Sequence, residues 1–280
     1  MVREISRAEQ RQYGRTIRLY RKSDQHRYQE QTKPVPSATP QVAVSQPEPG
    51  PPPQVEFFYN RMDQVGFIRK PAVQPLGRIF SVVDNKEMIS PGDIVYLSPN
   101  PKGPSADFAP GARFTVYRTL SPTPKKNSVK TIGTQHLLLG VVEVTQKEAD
   151  YAIAKVIDSF RPISVGDLLM EYRERTPDLI VSDSTPGMAG TLISSEEHNK
   201  LIGSNFTAFI DKGKRDNIHE GQQYTIVYQE TKKGVNGKTI KLAPVDLGSF
   251  IVLHTEETTS TVYVTQAFGK IEPGQPFITP

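Results

Sequence analysis

Two stretches of the sequence, beginning near residues 77 and 190, repeat one another in the same order. The matched segments are residues 77–79 with 190–192, 110–116 with 220–226, 139–142 with 247–250, and 163–168 with 271–277. The offset between the two copies shrinks only from 113 (Gly190 minus Gly77) to 108 (Gly274 minus Gly166). Self-similarity of this kind marks a duplicated folding unit, so the chain is expected to hold two related units in tandem.

Each copy consists of short runs of β-branched and aromatic residues separated by Gly and Pro. The runs are residues 77–83, 94–97, 113–117, 137–144 and 152–157 in the first copy, and residues 191–194, 205–210, 223–228, 249–255 and 261–265 in the second. This pattern predicts an all-β fold. Residues 147–156 are the one stretch that could form a helix, and the comparison between copies favours a strand for their second half.

Glycines stand at matching places in the two copies, and we interpret eight of them as structural turns. They are Gly77, Gly111, Gly140, Gly166, Gly190, Gly221, Gly248 and Gly274. Gly111 and Gly221 each precede an aromatic residue by three positions, where a positive φ would close a tight turn before a strand. Turn-then-strand units in series predict two small β-barrel or sandwich-like units, which protect their edges by closure.

The N-terminal part of the chain differs in composition from the repeats. Residues 1–33 carry nine Lys or Arg against four acids, a charge of +5, which leaves −1 on the other 247 residues of a chain whose total is +4. Residues 31–54 are rich in Pro and should form an extended, disordered linker. The predicted organisation is a basic segment (1–24), a Pro-rich linker (25–55), a first β-domain with a lead-in segment (56–185) and a second β-domain (186–280).

The sequence lacks the usual signatures of catalysis and of metal or nucleotide binding. There is no Cys, and no GxxxxGK(S/T), GxGxxG or GxSxG motif occurs. The five His have no common ligand spacing, and the adjacent acids Glu196-Glu197 and Glu256-Glu257 are interpreted as turns. If one copy were catalytic, we would expect a set of polar residues at its strand ends that the other copy lacks, and no such set is found. The sequence therefore predicts a protein that is not an enzyme and that has no cofactor and no metal.

A long hairpin tip interrupts each copy at the same place, at residues 121–134 and 231–241. Loops of this kind often carry binding residues, and both tips are rich in lysine. The candidate contact residues are Lys125, Lys126, Lys130, Lys232, Lys233 and Lys238. The alternative interpretation, a solvated loop without a partner, stays open.

Residues 13–20 (YGRTIRLY) place a Gly turn before an apolar, basic, apolar strand, and a Pro-rich spacer follows. This segment resembles the closing strand of a LysM module. Residues 66–71 (GFIRKP) and the Gly-turn strands through Pro280 resemble the C-terminal region of LysM peptidoglycan-binding proteins of the bacterial envelope. The resemblance implies a periplasmic or envelope location, although residues 1–12 lack the apolar region of a secretory signal. The sequence before residue 13 has no counterpart of the first strand and helices of a LysM module, so no sugar-binding residue can be assigned. Whether these elements lie in a longer reading frame or have been lost stays open.

The expected function is that of a non-enzymatic, peptidoglycan-associated scaffold or interaction module of the cell envelope. Its expected partner is peptidoglycan or another envelope protein, and the oligomeric state stays open. The longest apolar stretch, residues 137–142, is far shorter than the ~20 residues of a membrane-spanning helix. Two alternatives remain: direct glycan binding by exposed Tyr and Phe of a chain without Trp, and the less favoured binding of nucleic acid by the basic arm.

Overall fold

The computed structural model describes residues 55–104, 106–122, 132–234 and 236–280. Regular structure in these ranges is almost entirely β, with 17 strands and three 3-10 turns of three residues each. The predicted 1–24 segment and all but the last residue of the predicted 25–55 linker lie outside the described residues. No helix within the described ranges has the length and apolar character needed to cross a membrane.

Six strands of the first repeat form a closed antiparallel barrel. They are β3 (Gly77–Val82), β4 (Ile94–Pro99), β5 (Arg113–Leu120), β6 (Thr134–Lys147), β7 (Ala152–Ser159) and β8 (Leu168–Glu171). The order around the barrel is β3-β4-β7-β6-β5-β8, and β8 pairs back onto β3. The meander β5-β6-β7 with β8 returning beside β5 is a Greek key.

The second repeat forms a second closed barrel. Its strands are β10 (Ala189–Ser195), β11 (Thr207–Ile210), β12 (Gln223–Tyr228), β15 (Val245–Thr255), β16 (Ser260–Ala267) and β17 (Pro276–Ile278). Their order, β10-β11-β16-β15-β12-β17, reproduces that of the first barrel strand for strand. The predicted all-β fold with two related barrel units is therefore confirmed, and residues 152–159 form a strand.

Alternation of apolar and polar residues explains why these segments form barrel strands. In β4, for example, Val95 and Leu97 are fully buried while their neighbours face outward. Aliphatic side chains and two Phe fill the first barrel. The second barrel has an aromatic centre, in which the rings of Tyr224, Phe250 and Phe277 lie 5.2–5.6 Å apart.

The eight glycines have two different structural roles. Gly111, Gly166, Gly221 and Gly274 lie in turns with φ between +86° and +99°. The other four lie inside strands and not in turns, which corrects the turn role predicted for Gly77, Gly140, Gly190 and Gly248. The reason is close strand contact, since a Cβ on Gly140 would collide with the carbonyl oxygen of Asp158 on the paired strand.

Five short strands lie outside the barrels. They are β1 (Glu56–Phe58), β2 (Phe67–Arg69), β9 (Asp178–Ile180), β13 (Thr231–Lys233) and β14 (Thr239–Lys241). Strand β1 pairs with β9, β13 pairs with β14, and β2 adds to the outside of β6 in the first barrel. Both barrels belong to one compact unit.

The lead-in segment, residues 55–69, packs on both barrels. Its first part joins the second barrel, because Tyr59 and Phe57 contact Tyr263 with ring centroids 5.0 and 5.8 Å apart. These two aromatic residues of the lead-in segment therefore contact the second barrel. The segment around β9 also contacts the second barrel, where the Thr185 amide donates to the Tyr224 hydroxyl at 3.1 Å.

Candidate functional site

The second of the two predicted contact loops is a projecting hairpin. Strands β13 and β14 form it, and Lys232, Lys233 and Lys238 are all exposed. Lys232 forms an ion pair with Glu230 at 2.7 Å. The candidates in the first loop, Lys125, Lys126 and Lys130, lie outside the described residues.

Exposed apolar side chains surround the base of this hairpin, a feature that the sequence analysis missed. They belong to Tyr228, Ile240, Leu242 and Val245. Tyr228 and Val245 are cross-strand partners in β12 and β15, so the apolar surface continues from the hairpin onto the barrel. Lysines beside exposed apolar groups suit a protein partner that offers apolar and acidic groups together.

A second surface lies on the outside of β10, β11 and β16 and holds the lead-in segment. The Gly66 amide donates to Glu196 Oε1 at 2.7 Å. The Thr261 hydroxyl donates to the Gly66 carbonyl at 2.7 Å, and the Thr259 hydroxyl donates to the Ile68 carbonyl at 2.6 Å. Three side chains of the second barrel therefore bind the backbone of an extended segment.

Apolar packing completes this contact. Ile68 is buried against Ile193 and Phe209 of the second barrel. Phe67, the preceding residue, points the other way and packs against Tyr117 and Leu138 of the first barrel. Because successive side chains of a strand alternate, the short strand β2 joins one barrel with each of its faces. We call Ile193, Phe209, Thr259 and Thr261 the covered face of the second barrel.

Ionic contacts flank the covered face on both sides. Arg69 binds Glu256 with two hydrogen bonds of 2.8 Å, and Arg161 lies 3.2 Å from Glu196. Burial raises the pKa of Glu196 to about 6, although Arg161 and the Gly66 amide oppose the shift. Burial would also raise the pKa of Glu256, but hydrogen bonds from His254 and Arg69 outweigh it and lower that pKa to about 2.

These acids lie in turns, as predicted, but Glu196 and Glu256 are buried. They form a polar group with Thr259 and Thr261, and two of its members, Glu196 and Thr261, have no polar counterpart in the first repeat, so the expectation that no such group breaks the repeat was wrong. A signal was present in the sequence: at the positions equivalent to Glu196 and Thr261 the first repeat has Val83 and Ile153. The polar group holds the lead-in segment.

Two cavities open beside the lead-in segment. The larger, about 510 Å³, is lined by charged groups that include Asp63, Arg175 and Glu220. Burial lowers the pKa of the Arg175 guanidinium, which donates to the Val65 carbonyl at 2.8 Å. Arg175 thus binds the backbone of the lead-in segment, whereas Glu220 lies 3.6 Å from His254.

The smaller cavity, about 320 Å³, combines aromatic, amide and charged groups. Aromatic side chains of Tyr59, Phe160 and Phe206 line it together with the amides of Asn199 and Asn205 and with four charged side chains, those of Arg61, Arg161, Glu196 and Glu197. Aromatic rings beside polar groups are a combination that can orient a small polar ligand. Among the residues whose positions are given, no cluster of three or more His, Asp or Glu could hold a metal ion.

In sequence comparisons the chain matches no protein-family model and none of the curated proteins.

Proposed function

We propose that this chain is a non-enzymatic scaffold of the bacterial cell envelope, associated with peptidoglycan, which binds another envelope protein through the β13–β14 hairpin. The observation that carries the binding role is the exposed apolar base of the hairpin with its lysines. Contiguous apolar surface of this kind favours a partner. The envelope location rests on the resemblance of residues 13–20 and 66–71 to LysM proteins.

The packing of one segment on both barrels supports a scaffold role. Phe67 contacts the first barrel and Ile68 the second, and we infer that the hairpin is presented from a body in which the barrels keep one relative position. A pre-organised surface loses less entropy on binding than a mobile one.

The hairpin can be removed cleanly, which gives a direct test. The Leu242 amide donates to the Glu230 carbonyl at 2.8 Å, so these residues can be joined by an Asn-Gly turn in place of residues 231–241. In the shortened protein Tyr228, Leu242 and Val245 are also changed to Thr, so that no part of the exposed apolar base is left. We expect this protein to fold with unchanged cooperativity and to lose capture of its partner from envelope extracts, measured by quantitative mass spectrometry. Full capture by the shortened protein, or a cytosolic location of the native protein on fractionation, would contradict the proposal.

A second candidate function, direct glycan binding, is favoured by the aromatic and amide lining of the smaller cavity. Phe206 is partly exposed there and could stack on a sugar ring, while Asn199 could bind its polar substituents. We expect Phe206→Ala to reduce co-sedimentation of the full chain with purified sacculi if this function holds. Phe268→Ala removes an exposed ring elsewhere and is the matched control.

A further inference from the structure

The first barrel carries an exposed cluster of three aromatic rings. Phe80, Tyr96 and Tyr151 lie on the outside of β3, on the outside of β4 and just before β7, with ring centroids 5.9–6.1 Å apart. Phe80 is 45% exposed, and both tyrosines are partly exposed. Single exposed aromatic residues are common, but a contiguous cluster is typical of binding surfaces. We call these three residues the aromatic face.

The aromatic face occupies the same place on the first barrel as the covered face on the second. Ser81 pairs with Tyr96 after a bulge at Phe80, as Ser194 pairs with Phe209 after a bulge at Ile193. The register therefore makes Phe80 equivalent to Ile193 and Tyr96 equivalent to Phe209.

The third ring follows the same rule. Tyr96 pairs with Ile153 and Phe209 pairs with Thr261, so Ile153 is equivalent to Thr261. Tyr151 and Thr259 each lie two residues earlier and are therefore equivalent as well. The turn before each of these residues is also the same, because the Glu148 amide donates to the Tyr151 carbonyl as the Glu256 amide donates to the Thr259 carbonyl. On the second barrel this surface holds an extended peptide segment whose aliphatic side chain, Ile68, packs against Ile193 and Phe209.

The charges beside the aromatic face indicate which peptides would suit it. Arg78 and Lys155 are exposed and point outward on β3 and β7, on the same side as the rings. Neither forms an ion pair within the described part of the chain. Unpaired cations beside an apolar surface favour an acidic partner through electrostatic complementarity.

We propose that the aromatic face binds an extended, acidic segment of another polypeptide, with an aliphatic or aromatic side chain placed against Phe80 and Tyr96 as Ile68 is placed against Ile193 and Phe209. Such a segment binds reversibly, because two of the groups that hold the Gly66 backbone, Glu196 and Thr261, have no polar counterpart on the first barrel. This surface is distinct from the hairpin, and either can fail without the other.

Fluorescence anisotropy with the full chain tests this proposal. The probe is a short labelled peptide with Gly-Phe-Ile flanked by glutamates, and the comparison peptides carry lysine flanks or a Gly-Ala-Ala centre. We expect the glutamate-flanked peptide to bind most tightly. We expect Phe80→Ala to weaken binding about tenfold or more, and the double variant Arg78→Glu with Lys155→Glu to weaken it further and to reverse the preference between flanks.

Phe268→Ala is the matched control, because it removes an exposed phenylalanine from the second barrel and should leave binding unchanged. Equal binding of the acidic and basic peptides, no binding of either, or equal binding by Phe80→Ala would overturn the proposal. Tighter Phe80-dependent binding of a chitin oligosaccharide or an oligothymidylate than of the peptide would overturn it as well, and would assign the face to a glycan or to single-stranded nucleic acid.

Discussion

The outer faces of the two barrels occupy equivalent positions in the two repeats and differ in what covers them. On the second barrel, residues 66–68 lie over Ile193 and Phe209, and threonine hydroxyls bind their backbone. On the first barrel, the equivalent residues Phe80 and Tyr96 contact solvent and each other. The same strand geometry thus supports a permanent internal contact in one copy and an open surface in the other.

The difference lies in a few side chains and not in the backbone. Both faces have the same strand order and a bulge at the same position. The covered face has small hydroxyl groups, which let a backbone approach closely and satisfy its carbonyls. The aromatic face has bulky rings, which offer area but few hydrogen bonds. Side-chain differences of this kind let one barrel bind a segment of its own chain and leave the equivalent face of the other barrel exposed.

The largest expected effect separates the two faces by stability. Phe209→Ala removes a fully buried ring from the covered face, and we expect it to lower the free energy of unfolding by about 3–5 kcal/mol. Tyr96→Ala, the equivalent change on the aromatic face, should cost about 1–2 kcal/mol because the ring is only partly buried. Urea unfolding measures both. Equal losses would mean that the aromatic face is as much a part of the folded core as the covered face.

Glu196 gives the second prediction, through pH. Its pKa of about 6 in the folded protein lies above the ordinary 4.5, so protonation favours the folded state. Its contribution to the free energy of unfolding is highest below pH 4.5 and should fall by about 2 kcal/mol as the pH rises through 6. The difference in unfolding free energy between the wild type and Glu196→Gln should show this fall between pH 4.5 and 7.

Glutamine is a suitable replacement because it keeps an oxygen to accept the Gly66 amide. Other titrating groups are common to both proteins and cancel in the difference. Glu197→Gln is the matched control, since Glu197 is exposed and contacts the same Arg161 at 2.8 Å. If the difference in unfolding free energy between the wild type and Glu197→Gln fell as steeply with pH, the effect could not be assigned to the burial of Glu196.

The barrels could be predicted from the sequence, because their strands obey a local rule. Alternating apolar residues and recurrent turns locate nearly every barrel strand, and the repeat indicates that the two units are alike. The covered face could not be predicted in the same way, because Thr259 and Thr261 bind residues more than 190 positions earlier in the chain. Locally Thr261 is an ordinary strand residue, and Thr259 is an ordinary residue of the connection just before that strand.

The sequence pattern also could not predict which of the two outer faces is exposed. Phe80 and Ile193 occupy equivalent positions and have similar apolar character, yet one is exposed and the other is buried. The difference arises because the lead-in segment covers Ile193 and does not cover Phe80. The lead-in segment lies outside the repeated sequence, so the repeat pattern gives no information about where it packs. A comparison of the copies residue by residue does carry a hint, since Thr261 replaces Ile153 and Glu196 replaces Val83.

Thr261→Val gives a smaller effect and tests how the covered face holds its segment. The substitution keeps the shape of the side chain but leaves the buried Gly66 carbonyl without its hydrogen bond, which should cost about 1–2 kcal/mol. Ile153→Val, at the equivalent position of the first barrel, should cost about 1 kcal/mol or less. Hydrogen exchange at residues 66–69 should increase in Thr261→Val alone. Unchanged protection there would mean that apolar packing by Ile68 suffices to hold the segment.

The smallest expected effect is that of Phe80→Ala on stability. This ring is nearly half exposed, and its loss removes two ring contacts of 6.1 Å, so we expect the free energy of unfolding to change by no more than about 1 kcal/mol. Ile193→Ala, the equivalent change on the covered face, should cost about 2–5 kcal/mol. A small loss at Phe80 combined with a tenfold loss of peptide binding would show that the exposed copy is maintained for a partner. A large loss of stability would instead make Phe80 a structural residue, and the contrast between the two faces would then reduce to a difference in packing.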